Sequence, residues 1–194
     1  MNPDVQKILS LGPCDDAAQW IMDHADEDSY SLWRKCTRGD WLLWTTARVG
    51  VDRKLTVLAA CDCAETALRF LPSTEKRPAW VIATARAWCR SEAAPDLVRI
   101  APNAACAYAC SSSADAAYAA AAYAAADATA DVAATCADAA ANSAAAAYGA
   151  AAFAATASAS AAVTARASAN RECARLVRKR IPWRVVRDAL RGSK

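Results

Sequence analysis

The residues of this chain that could carry chemistry are one histidine, nine cysteines, and tryptophans interleaved with arginine and aspartate. His24 lies among Asp23, Asp26, Glu27 and Asp28, the composition of a solvated acidic turn. A histidine-based triad would have to pass through it, and its neighbours offer no nucleophile in register. Cys61-Asp62-Cys63 comes closest to a metal clip, but residues two apart on a helix point about 200° from one another, so the sulfurs cannot meet one ion there. Cys106 and Cys110, four apart, share a face and could; no further pair of ligands accompanies them, so no metal site is expected. Arg38-Gly39-Asp40 spells an integrin tripeptide, read as chance at a helix start, and no glycine-rich phosphate loop is present. The expectation is a protein that is not an enzyme and takes no cofactor.

Two polar groups point instead to binding. Arg38, Asp40, Trp41, Trp44, Arg48, Asp52, Arg53 and Asp62 gather where two central helices should meet, with Trp41, Trp44 and Arg48 on one face so that a guanidinium can stack beside indole. Such a group could hold an anionic or flat ligand; more often it forms an internal salt-bridge and stacking lattice that fixes a helix corner. The second group is the tail. Arg171, Arg175 and Arg178 fall at helical spacing on one face, and Lys179, Arg180, Trp183, Arg184, Arg187 and Arg191 follow. These cations could contact nucleic-acid phosphates, dock an acidic protein or a nucleotide, or simply line a solvated helix end where positive charge is favoured.

The element that dominates the chain is its alanine stretch. Residues 103–165 contain 36 alanines in 63 positions, no lysine, arginine, proline, leucine or isoleucine, and four aspartates. Alanine loses no side-chain entropy in a helix, so the stretch predicts helices that approach one another closely through methyl faces. One continuous helix of this length would run about 90 Å at ~1.5 Å per residue, so it must fold back. Ser111-Ser112-Ser113, Asn142-Ser143, Gly149, Ser158 and Ser160 are the available breaks. Tyr108, Tyr118, Tyr123, Tyr148 and Phe153 share one phase of a five-residue count, which raises the alternative of a pentapeptide-type β-solenoid. Alanine is depleted in β structure, and Ser113, Ala128 and Asp138 at the same phase are too small or polar to fill a coil.

Around that stretch the pattern is amphipathic. Asp15 or Asp16 can cap a helix through Trp20 and Met22, and Ser29 or Ser31 can start another with Leu32 and Trp33. Asp40 is placed to cap a helix that ends near Gly50; Asp52 caps the next, which stops before Pro72. Pro78 opens one that runs through Trp88 to about Ser91, and Asp96 to Ile100 forms a shorter piece. A tail helix is ended by Pro182, and Trp183, Val186 and Leu190 mark a last amphipathic turn or two. The result is an all-α, multi-helix bundle with a closely packed alanine-rich helical array. Three regions, 1–102 (tryptophan-rich), 103–165 (alanine-rich) and 166–194 (basic), form one continuous domain, with net charges of −1, −4 and +8. The unframed, odd number of cysteines and the lack of a leader pattern predict a cytoplasmic protein. The uncharged run from Ala139 to Ala165 is too weakly apolar for a membrane span.

Several of these runs resemble a known family. Arg38-Gly39-Asp40-Trp41-Leu42-Leu43-Trp44, Gly50 to Leu55, Ala59 to Ala64, Arg77 to Trp88, the alanine, tyrosine and aspartate array, and Arg171-Glu172-Cys173 through Ile181-Pro182-Trp183 are similar to all-helical, alanine-rich immunity-type proteins found in bacteria and phages. The resemblance implies a helical protein without catalytic residues, of immunity or phage counter-defence type, that neutralises a toxin or defence protein by stoichiometric binding. The residues themselves leave open a sequestering protein for an anionic nucleotide-like molecule and a nucleic-acid-binding helical protein. The alanine helices can pack within one chain or between copies in a homo-oligomer.

Overall fold

The computed structural model describes residues 2–66, 68, 76–91 and 159–192, the side chains at 159–166 and at 77, 78 and 81 excepted. Among the described residues the chain is all-α, with eight helices and no strand. The expectations for residues 96–100 and for the alanine array from 103 to 158, including its aromatic phasing and breaks and the β-solenoid alternative, lie outside them.

Local chemistry accounts for most helix starts. Helix α1 (Pro3–Ser10), which the sequence pattern did not suggest, begins where Asn2 Oδ1 accepts from the Asp4 amide at 2.9 Å and Pro3 fills the first turn. In α2 (Asp15–Asp23) the two aspartates sit in the first turn and Cys14 takes the cap position without a side-chain bond, so the carboxylates act through the helix dipole rather than as caps. Helix α3 (Ser29–Lys35) starts at Ser29, one of the two expected positions, and is capped by Asp28, whose Oδ1 accepts from the Ser31 amide at 2.7 Å. Helix α4 (Gly39–Arg48) starts ahead of Asp40: Arg38 is the cap residue, and the Asp40 carboxylate is held by the Arg38 guanidinium instead of by backbone amides.

The α4–α5 corner follows the sequence closely. Gly50 adopts φ +84°, Val51 N–H donates to Thr46 O at 2.9 Å and Gly50 N–H to Ala47 O at 3.2 Å, the two bonds of a Schellman termination. Asp52 then caps α5 (Arg53–Glu65), accepting from the Leu55 amide at 2.9 Å. That helix ends at Glu65, ahead of Pro72. Helix α6 (Arg77–Cys89) opens on Pro78 as expected. Helix α7 (Ala159–Arg180) includes the end of the alanine stretch, so the compositional boundary at 165/166 falls within one helix; Pro182 separates it from α8 (Trp183–Gly192).

Helices α4, α5 and α7 pack on one another, α6 lies on α5, and α1 bridges α2 and α8. Helix α5 is buried nearly all round, through Thr56, Val57, Ala59, Ala60, Cys61, Cys63 and Ala64. Helix α7 meets it with Cys173, Ala174 and Val177, a helical stripe removed from solvent that Ile181, just past the helix end, continues. Removing a side chain such as Leu43 or Ile181 from water stabilises the fold by about 1.5–3 kcal/mol each, and one apolar cluster runs from Val5 to Leu190. The α4–α7 crossing is close because Gly39 has no side chain: a Cβ there would overlap Cys173 Cβ and sit 2.9 Å from Ala174 N.

Candidate functional site: a tryptophan cleft

Helices α1 to α4 and α8 leave between them a cleft of about 400 Å³. Its walls carry five of the seven tryptophans: Trp20 from α2, Trp33 from α3, Trp41 and Trp44 from α4, and Trp183 from α8. Their arrangement follows from helix register. Trp41 and Trp44 are three apart and share the α4 face turned toward α2, where the Trp20 and Trp41 ring centroids lie 6.0 Å apart at 53°. Trp33 and Trp183 make a second tilted pair at 6.0 Å and 43°. Tilted pairs at these distances suit the ring quadrupoles better than face-to-face stacking.

One ion pair lines the cleft. Arg38 Nε donates to Asp40 Oδ1 at 2.9 Å and Nη2 donates to Oδ2, a bidentate geometry, while the guanidinium carbon lies 4.5 Å from the centre of the Trp41 ring. The hydrogen bond to Asp40 raises the Arg38 pKa further, against the opposing effect of burial. Asp40 itself is buried. Two thiols flank the pair: Cys14 is exposed, and Cys36 is buried, donates to Arg38 O at 3.5 Å, and is pushed up to a pKa of about 11, chiefly by burial. Trp41 Nε1 is sealed from solvent with no acceptor among the described residues.

The expected corner cluster is therefore divided. Arg38, Asp40, Trp41 and Trp44 line the cleft. Arg48 does not; its Nη2 donates to Leu11 O at 3.4 Å and its guanidinium lies 5.7 Å from the Trp44 ring. Asp52 serves as a helix cap, and Arg53 sits 5.4 Å from the Trp88 ring. Asp62 belongs to a third group, where its carboxylate accepts from Arg86 at 2.8 Å and from Arg180 at 2.8 and 3.0 Å. Trp20, Trp33, Cys14 and Cys36 are cleft members that sequence spacing did not indicate. The density of tryptophan at 20, 33, 41 and 44 was the available signal.

The tail cations do not form one face. Arg171 and Arg175 are exposed, and Arg175 pairs with Glu172 at 2.7 Å. Arg178 falls on the buried seam beside Ala174, Val177 and Ile181, and its Nη1 donates to Trp33 O at 3.2 Å and Cys36 O at 2.7 Å, closing the C-terminal end of α3. Burial lowers its pKa from the ordinary arginine value, and no carboxylate among the described residues pairs with it. Lys179 and Arg180 border an open groove with Asp62 and Glu65, where both signs of charge are present. Of the tail residues named from the sequence, Trp183 alone lines the cleft.

His24 caps the C-terminal end of α2 and opens the acidic turn expected there, with its Nδ1 2.8 Å from Trp20 O and its ring packed 4.7 Å from the Trp20 ring. Cys61 and Cys63 are both buried, with Cys63 Sγ donating to Cys173 O at 3.8 Å. Among the described residues no group of three or more histidine, cysteine or acidic side chains is placed to hold a metal, and no helix is long and apolar enough to cross a membrane. Compared with family models, with curated proteins and with solved structures, the chain gives no match.

Proposed function

We propose that this chain is a non-enzymatic binding protein that acts by stoichiometric capture, and that the tryptophan cleft is the surface it captures with. One observation carries the reading: five indoles from four helices converge on a concavity of about 400 Å³ beside a single ion pair whose carboxylate is buried. Ligand sites are typically clefts of roughly 300–1,000 Å³ with mostly apolar walls and a few placed polar groups. The resemblance noted above supplies the biological type, a cytoplasmic immunity or phage counter-defence protein that neutralises a toxin or defence component by occupying it.

The cleft's concavity favours a second reading, sequestration of a small molecule, over a flat protein-only contact. Capture of an anionic nucleotide by the tail draws less support, because Arg175, Arg178 and Arg180 are each engaged within the fold. The same holds for nucleic-acid binding.

The test is a comparison of the full chain with Thr45→Phe, both isolated from the cells that encode the protein. Thr45 lines the cleft from α4 and its hydroxyl bonds only to Trp41 O, so phenylalanine fills the space without removing a core contact. A protein or a heat-released small molecule retained by the wild type and lost with Thr45→Phe supports capture through the cleft. Equal retention by both proteins rejects it.

A further inference from the structure

We infer that the cleft takes an uncharged, planar heteroaromatic ring system, the class of a nucleoside or an isoalloxazine, and discriminates against its phosphorylated form. The inference rests on the cleft being the capture site and goes on to name what fits it.

Charge decides the first part. Arg38 and Asp40 are the ionised side chains on the cleft wall, and they neutralise each other through two parallel hydrogen bonds. A phosphate oxygen could accept from the remaining Arg38 N–H groups, but Asp40 already neutralises that guanidinium, so the phosphate's negative charge would stand uncompensated beside a buried carboxylate. A cation meets the reverse difficulty, since the Asp40 oxygens are occupied and the guanidinium stands beside them. Arg178 of the tail donates to Trp33 O and Cys36 O and does not line the cleft.

Shape and hydrogen bonding decide the rest. Indole faces stack on any π-surface with little regard for its substituents, so the wall selects flatness. A dry cavity of about 150 Å³ accepts one benzene-sized ring, so about 400 Å³ has room for two or three fused rings. The Arg38 Nε and Nη2 edge faces Asp40, while Nη1 has no acceptor among the described residues and the side chain keeps 31% of its exposure. A ring nitrogen or carbonyl oxygen meets that donor; a plain hydrocarbon does not.

Matched probe pairs test this on the full chain by calorimetric titration: adenosine with AMP, and riboflavin with FMN. The expected result is that the neutral member of at least one pair binds ten-fold or more tightly than its phosphorylated partner. Thr45→Phe should weaken that binding at least ten-fold, while Asp188→Asn, on exposed α8 surface, leaves it unchanged. Should Thr45→Phe lose its helical circular dichroism, Ala17→Leu fills the cleft from the opposite wall in its place. AMP or FMN binding as tightly as the neutral member, with the same loss in the filled variant, overturns the charge argument and leaves capture by the cleft standing. No binding by either pair up to millimolar concentration overturns the ring class. Binding indifferent to both filling variants rejects the cleft altogether.

Discussion

Replacing Gly39 with alanine separates two opposite expectations. On helix propensity alone, glycine to alanine at a helical position stabilises by up to about 1 kcal/mol. The α4–α7 crossing predicts the reverse, because the new methyl overlaps Cys173 Cβ and lies 2.9 Å from Ala174 N and 3.0 Å from the Cys173 carbonyl carbon. None of these atoms is the movable end of a flexible side chain, so α7 must shift away from α4, and overpacking of this kind costs typically 1–3 kcal/mol. For a chain of this size each kcal/mol moves Tm by roughly 2–4 °C, so Gly39→Ala should melt about 2–12 °C below the wild type, followed by circular dichroism. Gly192→Ala, where nothing lies within 4 Å, is the control and should change little. Adding Cys173→Gly to Gly39→Ala removes one of the overlapping atoms and should recover part of the loss, as positive coupling in a double-mutant cycle. A Gly39→Ala protein that melts at or above the wild-type temperature would refute the crossing geometry.

Arg178→Met keeps the aliphatic stem and removes two hydrogen bonds from a cation to α3 carbonyls, a loss of about 2 kcal/mol; denaturant unfolding should show it, together with faster amide exchange in α3. Burial raises the folded pKa of Cys36 from 9.0 to about 11 and of Cys61 from 9.0 to about 12. Both contributions are therefore whole below pH 9 and fall away as pH climbs through those values, Cys36 accounting for about 3 kcal/mol; Cys36→Ala should lose that share of the slope in unfolding measured from pH 8 to 11. Trp41→Phe deletes the indole N–H that is sealed without an acceptor, and relief of roughly 1–3 kcal/mol of desolvation offsets the lost ring contact. Its unfolding free energy should stay within about 1 kcal/mol of wild type.

What the sequence made legible was what neighbouring residues decide among themselves. Asp52 as a cap, Gly50 as a helix end and Pro78 in a first turn each depend on atoms within five residues, and each stands where the pattern placed it. Asp40 was misplaced as a cap because a nearby arginine competes for its carboxylate, a contest that propensity does not weigh. Helix α1 was missed because eight residues carry too short a period to register beside Asn2 and Pro3. The cleft was half visible: Arg38, Asp40, Trp41 and Trp44 are local to one helix end, whereas Trp20, Trp33 and Trp183 reach it only through helix crossings. Arg178 illustrates the same limit, since its carbonyl partners lie 142 and 145 residues away in sequence.

The docking of α8 onto α1, with Lys7 Nζ donating to Leu190 O and Trp183 against Trp33, has a bearing on how the molecule comes into being. A chain leaving the ribosome presents α1 to α4 first, yet Val5, Ile8 and the indoles of that segment have no far wall until α7 and α8 have been synthesised. Between the synthesis of α4 and that of α8 the nascent protein thus carries an uncovered aromatic surface, the kind that chaperones recognise and that aggregates when left bare. Closure of this side of the core waits for α8, and a chain truncated before Leu190 would leave it open.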